Sequence, residues 1–313
     1  MTDRIEVAVL RGGPDAEREV SLASGARVLA ALRRDPRFKA IDHVIDRPSR
    51  ADLRALGADV VFPVLHGPFG EGGELQERLE DAGLPYVGSG PQASRLAMDK
   101  NATKLACVEA GVPTASWARL NPGEDCPIKT PLVIKPIAEG SSVGVRICRT
   151  PEEVTTARAE LENRHPELMA ETFIEGRELT VGIVLGRVLP IIEIRTSVEF
   201  YDFEAKYERD DTDYLIDPEL PETIVEACLA HARTTFDALG CRDLARVDFM
   251  LDEQGLWMLE ANTIPGFTDH SLVPMAARHV GMEMTRLCAE LVLCAHDRRT
   301  AIADSPQTTT TTR

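Results

Sequence analysis

A chain of 313 residues, 43% hydrophobic and 27% charged, is long enough for two or three compact units and has the make-up of a soluble globular protein. Its formal net charge of −16 argues against a nucleic-acid or anionic-membrane surface, because long-range repulsion opposes polyphosphate, so any phosphate site must be local. Seven cysteines without a CxxC pair suggest free thiols, no apolar run approaches the ~20 residues of a membrane span, and Met1–Arg4 runs into a strand without a signal peptide, so the expected location is the cytoplasm.

Ile5–Leu10 reads as a buried strand, and Arg11-Gly12-Gly13-Pro14 turns into a helix whose apolar face carries Val20, Ala23, Val28, Leu29 and Leu32. That glycine step lacks the spacing of a dinucleotide fingerprint, and Pro14 interrupts it. Val60–Leu65 is another strand, ending at His66-Gly67 and a glycine-rich loop. The alternation predicts a doubly wound α/β unit over residues 1–88, closed by the punctuation Gly88-Ser89-Gly90-Pro91. A central unit over 89–178 holds a helix from Lys100 to Ala110, the strand Leu132–Pro136 and the loop Glu139–Gly144. Met169–Gly176 and Glu178–Val184 read as strand, turn, strand, and a C-terminal unit occupies 179–300. Residues 200–213, charged and aromatic, read as an exposed, movable segment, and 301–313 as a disordered tail.

The chemistry concentrates in Arg246-Val247-Asp248-Phe249 and Glu260-Ala261-Asn262-Thr263-Ile264-Pro265-Gly266, two strand segments joined by the turn Asp252–Gly255. Side chains two apart share a face, so Arg246 goes with Asp248 and Glu260 with Asn262. With a three-residue loop Glu253–Gly255 and Gly255 as its left-handed residue, Asp248 lies opposite Glu260. Two carboxylates and an amide oxygen are hard donors of the kind Mg²⁺ takes, its shell completed by water and substrate phosphate. A polar-edged hairpin is the plainer reading of that pattern alone. Glu139-Gly140-Ser141-Ser142-Val143-Gly144 offers small residues and free N–H groups able to close over a triphosphate, with an ordinary hairpin loop as the alternative. Lys135, inside an apolar strand, must snorkel outward or meet an anion, and phosphate is the natural one here. Lys100 is a second phosphate ligand or a solvated lysine.

These segments, together with Ala16-Glu17-Arg18-Glu19-Val20-Ser21, Leu65-His66-Gly67, Met98-Asp99-Lys100, Phe200-Tyr201-Asp202-Phe203-Glu204-Ala205-Lys206-Tyr207 and His270-Ser271-Leu272-Val273-Pro274, follow one another in an order that resembles the D-alanine:D-alanine ligases of the ATP-grasp superfamily. The resemblance covers residues 4–295 and implies an N-terminal doubly wound α/β domain followed by a two-lobed ATP-grasp α+β module. It implies that Lys100, Lys135 and Ser141 meet ATP phosphates, with Glu139 and Ser142 also binding the nucleotide. Glu171, Phe173, Ile174, Glu178 and Met250 would line the adenosine pocket, and Asp248, Glu260 and Asn262 would hold two Mg²⁺, with Mn²⁺ able to substitute. Glu17, with Ser141 and Tyr207, would take the ammonium of the first D-alanine; read alone, Glu17 is equally a first-turn glutamate favourable to the helix dipole. Arg246 and the Gly266 N–H would face the oxyanion. Ser271 and Lys206 would grip the second D-alanine, with His66, Tyr201 and Leu272 also at the substrates; alone, Ser271 reads as a helix cap and Lys206 as loop charge. The resemblance also implies a homodimer. Three features depart from the family: Gly72 after Glu71, Asp269 where a small polar residue is common, and a metal hairpin one residue shorter.

The expected reaction is attack of a D-alanine carboxylate on the γ-phosphate, then of a second amine on the acyl phosphate, giving D-alanyl-D-alanine for peptidoglycan. Closure against water is assigned to 200–213, and Tyr207 is expected to favour D-alanine over D-lactate. A sibling ligase with another acceptor, a silent nucleotide-binding protein of this fold and, more distantly, a nicotinamide oxidoreductase remain as alternatives.

Overall fold

The computed structural model describes residues 4–140, 143–196 and 212–303. The expected tail beyond 303 and most of the 200–213 segment lie outside them.

The first unit is a parallel sheet, ordered β2-β1-β3, of β1 (Ile5–Gly12), β2 (Phe38–Ile45) and β3 (Val60–Pro63). Val7, Ala8, Val9 and Leu10 are all fully buried, as expected of a central parallel strand covered on both faces. Helix α1 (Arg18–Arg33) covers one face; α2 (Arg50–Arg54), α3 (Gly67–Glu71) and α4 (Glu74–Ala82) cover the other, where Leu53, Phe69, Leu75 and Leu79 pack on Ala8, Leu10 and Val61. Two local readings of the sequence are corrected here. Ala23 is exposed, and Ser21, Ser24 and Gly25 hold the buried positions at that level of α1. The Ser21 hydroxyl donates to the Val64 carbonyl and accepts from the Gly12 N–H at 2.8 Å, so this stretch of helix is fastened by polar contacts rather than by an apolar stripe. The segment after His66 is not a loop but the short helix α3, with Pro68 in its first turn, where a missing N–H costs nothing.

Helices α5 (Pro91–Met98) and α6 (Lys100–Glu109) follow, with Asp99 capping α6 by accepting the Ala102 N–H at 2.9 Å. The second sheet is antiparallel, β4-β7-β5-β6, from β4 (Trp117–Leu120), β5 (Leu132–Pro136), β6 (Arg146–Cys148) and β7 (Leu168–Thr172), with α7 (Pro151–Leu161) on its back. Thr150 and Glu153 form a reciprocal capping box at the start of α7. The chain then changes sheets between Thr172 and Arg177. The third sheet, β10-β9-β8-β11-β12, is built from β8 (Arg177–Val184), β9 (Arg187–Thr196), β10 (Thr212–Ile216), β11 (Leu244–Leu251) and β12 (Leu256–Asn262). Helix α8 (Glu222–Ala238) packs on one face together with α5 and α6, and α9 (Leu272–His279) and α10 (Met284–Ala303) join the other face to β1, β3 and α1 in a single core.

That shared core is reinforced by a buried ionic clasp. Asp243, 6% exposed and at φ +62°, takes both Arg298 nitrogens at 2.6 and 2.7 Å and the Gly88 N–H at 2.7 Å, while Arg298 also donates to the Tyr86 carbonyl at 2.7 Å. One carboxylate thus ties the end of the first unit, the turn before β11 and the last helix together. Removing one partner leaves a charge without its counter-ion in a desolvated place. Asp243→Ala should therefore lower the unfolding free energy by about 3 kcal/mol, measured by urea denaturation, whereas a change below about 0.5 kcal/mol would reduce the clasp to an exposed ion pair.

Candidate active site

The second and third sheets face each other across a cavity of about 550 Å³. Lys100, Lys135 and Glu139 line it from one side, together with Glu171, Phe173 and Ile174. Glu178, Met250, Asp248 and Glu260 line it from the other. Val133, Val143, Ile194 and Leu259 give it apolar walls between the charged groups, as a flat aromatic ring with a charged tail requires.

The third-sheet wall is set by one irregularity. Strand β11 pairs with β12 as Leu251 with Leu256, Met250 with Trp257 and Phe249 with Met258, around a four-residue turn, Asp252–Gly255. Carried through, that register would put Asp248 opposite Leu259. A bulge between Phe249 and Asp248 leaves Leu259 unpaired, so Asp248 meets Glu260 and Arg246 meets Asn262. The expected facing carboxylates are present; the expected three-residue loop is not, and the bulge supplies the missing step. Gly255 sits at φ +150°, open to glycine but outside the left-handed helical region expected for it.

Asp248 is nearly saturated with donors. Arg246 grips it with two parallel bonds, Nε to Oδ1 at 2.9 Å and an Nη to Oδ2 at 2.7 Å, and Thr180 Oγ1 on β8 donates to Oδ1 at 2.6 Å. Glu260 lies 3.4 Å from the Lys100 ammonium, which also donates to the Glu139 carbonyl at 2.5 Å. Asn262 Oδ1 accepts the Ile264 N–H at 2.9 Å and keeps a second lone pair. Among the described residues no three His, Cys, Asp or Glu side chains stand together as a metal nest. Two facing carboxylates with an adjacent amide nevertheless suit a hard cation that draws the rest of its shell from water and phosphate, so the donor set fits magnesium.

Opposite, Lys135 resolves the choice posed by its sequence: it meets an anion. Its ammonium pairs with Glu171, which is also held by Lys104 at 3.0 Å. Burial pushes the Glu171 carboxyl up, but Lys135 and Lys104 outweigh burial and bring it down to about 2, so it is an anion between two lysines; burial in turn lowers the Lys104 pKa, with Glu171 opposing.

At the junction with the first unit, Glu17 is buried at the start of α1, and Gly140 lies so close that a Cβ there would come within 2.9 Å of Glu17 Oε2. His66 is buried beside it. Burial lowers the imidazole pKa, with Glu17 opposing, and its Nε2 has no hydrogen-bond partner among the described residues. Gly266 abuts Ser271, whose Oγ would lie 2.7 Å from an added Cβ. Ser271 occupies the N-cap position of α9 without capping it; its hydroxyl accepts the Thr268 N–H at 2.8 Å instead. The side chain of Leu272 is in the core, leaving only its backbone for a substrate. Ser141, Ser142, Tyr201, Lys206 and Tyr207 lie outside the described residues.

Four participants escaped the sequence reading: Lys104, Thr180, Glu71 and Glu193. Lys104 follows Lys100 by one helical turn, a spacing that places both on one face and could have been noticed. Thr180 required the β8–β11 pairing. Glu193 is buried under Arg177 and Arg195 at the rim. Glu71 accepts the Gly67 N–H at 3.0 Å, and burial, aided by Glu17, lifts its pKa to about 8. A carboxyl with a raised folded-state pKa contributes full stability below its unfolded value and loses it as pH rises through the folded one. Each unit is worth about 1.4 kcal/mol, so stability should fall by several kcal/mol between about pH 4.5 and 8 through Glu71. Glu71→Gln, which keeps the acceptor, should gain stability over the parent progressively from pH 5 to about pH 8 in urea titrations; a pH-independent difference would show that Glu71 is ionised at neutrality.

Comparison with known proteins bears on the family and the fold. The family model for the D-ala D-ala ligase N-terminus matches residues 46–89, and that for the D-ala D-ala ligase C-terminus matches residues 110–293. The chain is 44% identical over 301 residues to D-alanine–D-alanine ligase B of Chromobacterium violaceum, spanning 93% of this chain and 98% of that protein. It is 46% identical over 301 residues to the D-alanine–D-alanine ligase of Dechloromonas aromatica, with the same coverage. The crystal structure of the Bacillus anthracis D-alanine–D-alanine ligase complexed with ATP superposes with a TM-score of 0.81 at 30% identity, covering 95% of this chain and 99% of that one. With a family model matched over residues 110–293, more than half of the chain, and relatives above 40% identity across nearly its whole length, the chain belongs to the D-alanine–D-alanine ligase family.

Proposed function

We propose that the protein uses ATP to activate the carboxylate of one D-alanine and joins it to the amine of a second, releasing D-alanyl-D-alanine, ADP and phosphate for peptidoglycan precursor synthesis. The observation that carries this reading is the contact between Glu17 and Gly140, which sets a buried carboxylate from the first unit against the loop nearest Lys100 and Lys135. An ammonium held by Glu17 leaves its own carboxylate facing the phosphate end of the cavity. In the same proposal, residues 1–88 carry the first D-alanine, 89–178 and 179–300 clasp the nucleotide, and the protein is a cytoplasmic homodimer. No helix among the described residues is long and apolar enough to cross a membrane.

Adenine would lie between Val133, Phe173, Ile174 and Met250, with Glu171 and Glu178 at its edges. Lys100 and Lys135, joined by Ser141, would hold the phosphates, with Glu139 and Ser142 also at the nucleotide. Asp248, Glu260 and Asn262 would hold two Mg²⁺, or Mn²⁺ in their place, which when bound screen the phosphate charge so that an anionic nucleophile can approach. Arg246, already braced by Asp248, would direct its remaining N–H groups with the Gly266 N–H to the oxyanion that forms as the second amine attacks the acyl phosphate. Ser271, Lys206, His66, Tyr201 and the Leu272 backbone would position the second D-alanine, and Tyr207 would tie the 200–213 segment to Glu17 and Ser141, excluding water.

The test is ATP-dependent phosphate release with D-alanine, L-alanine and D-lactate at pH 7, with product masses determined. D-Alanine alone should support turnover and give the dipeptide; predominant ester with D-lactate would overturn the acceptor assignment. Glu260→Gln, which weakens a metal ligand while keeping its shape, should abolish turnover with an unchanged thermal unfolding midpoint. Near-parental phosphate release at millimolar magnesium would remove Glu260 from the site. Lys135→Ala should raise the ATP KM at least tenfold, and an unchanged value would leave Lys135 as a structural partner of Glu171 only.

A further inference from the structure

Beneath the cavity, one buried polar chain runs from the third sheet to the second. Its centre is Lys104 on α6, with an exposure of 0%. The Lys104 ammonium lies 3.0 Å from Glu171 Oε2, donates to Thr114 Oγ1 and sits 5.6 Å from the Trp117 ring centroid. The Thr114 hydroxyl donates to the Met258 carbonyl at 2.9 Å, and the Met258 N–H donates to the Pro113 carbonyl at 2.8 Å. Met258 is two residues before Glu260 on β12, while the second oxygen of Glu171 is taken by Lys135 of β5.

The charge count is the informative part. A lysine that must serve a phosphate is here already engaged by a carboxylate 4% exposed. If Lys135 and Glu171 were the whole arrangement, turning Lys135 toward a phosphate would strip a buried anion of its counter-ion, a costly change. Lys104 alters that balance. Two lysines share one carboxylate, with Glu171 opposing the burial that lowers the Lys104 pKa, and Lys104, packed against Thr114, Trp117 and Glu171, does not line the cavity. Lys135 lines the cavity and can turn.

We propose that Lys104 is a positioning residue for the nucleotide: it keeps Glu171 compensated from beneath, so that Lys135 is released to the phosphates of ATP. The proposal rests on reading the cavity as the ATP site. It requires the effect of Lys104 to depend on the charge of Glu171, which a purely structural lysine would not.

The experiment is ATP binding by titration calorimetry, with kinetics in parallel, for the parent, Lys104→Met, Glu171→Gln and Lys104→Met/Glu171→Gln. Lys104→Met should weaken ATP binding at least tenfold and raise the ATP KM likewise, with kcat changed less than threefold. In the Glu171→Gln background the same substitution should change ATP affinity less than threefold, because no anion remains to hold Lys135. Equal weakening in both backgrounds, or none in the first, would overturn the proposal while leaving the ATP site intact. If the parent itself fails to bind ATP, the functional reading falls and the proposal with it. Should Lys104→Met fail to fold, Glu171→Gln and the double variant still decide, since a tenfold difference between them contradicts charge compensation.

Discussion

Two carboxylates facing each other across a hairpin repel, and the rest of the cleft is organised around offsetting that repulsion until a cation and a triphosphate arrive. Asp248 is neutralised within its own strand by the two-pronged Arg246 and steadied from β8 by Thr180. Glu260 is approached by Lys100 across the cavity. The arrangement depends on the bulge at Leu259, since without it Asp248 would face an apolar residue and the pair would not exist. A one-residue register step exchanges every side chain between the two faces of a strand, so a single unpaired leucine decides where the charges point.

The same logic extends to the opposite wall. Lys135 and Lys104 share Glu171, and the three charges sit where water is scarce, so their mutual attraction is strong and their separate removal expensive. The Asp243 clasp performs a mechanical counterpart at the back of the molecule, fixing the first unit, which carries Glu17 and His66, against the sheet that carries Asp248 and Glu260. The loop bearing Gly266 is anchored in turn by the Phe267 N–H on Ser24 of α1 and by the Phe62–Phe267 edge-to-face contact at 5.5 Å. Precise placement of groups from three sheets therefore rests on contacts outside the cavity.

Much of this was legible in the residues. Lys135 in an apolar strand had to snorkel outward or meet an anion, with phosphate the one suggested, and it meets Glu171; the strand Leu132–Pro136 and the start of α6 at Lys100 fall where the sequence places them. Period-two spacing correctly grouped Arg246 with Asp248 and Glu260 with Asn262. What escaped depends on long-range pairing. The bulge has no signature in Trp257-Met258-Leu259, and Thr180 matters only because β8 lies beside β11. Lys104 drew no reading from the sequence because the carboxylate that holds it, Glu171, is far away along the chain. Glycines after His66 suggested a loop, whereas Pro68 and the buried Glu71 bond to the Gly67 N–H fold them into a helical turn.

In the proposed reaction a D-alanine carboxylate, not water, attacks the γ-phosphate in this cleft. The most direct measurement supplies D-alanine labelled with ¹⁸O in its carboxylate, together with ATP and magnesium, and determines the mass of the phosphate released. An acyl phosphate hands one carboxylate oxygen to phosphate when the second amine displaces it, so the account predicts one ¹⁸O atom in each phosphate formed with dipeptide. Unlabelled phosphate accompanying dipeptide would contradict it.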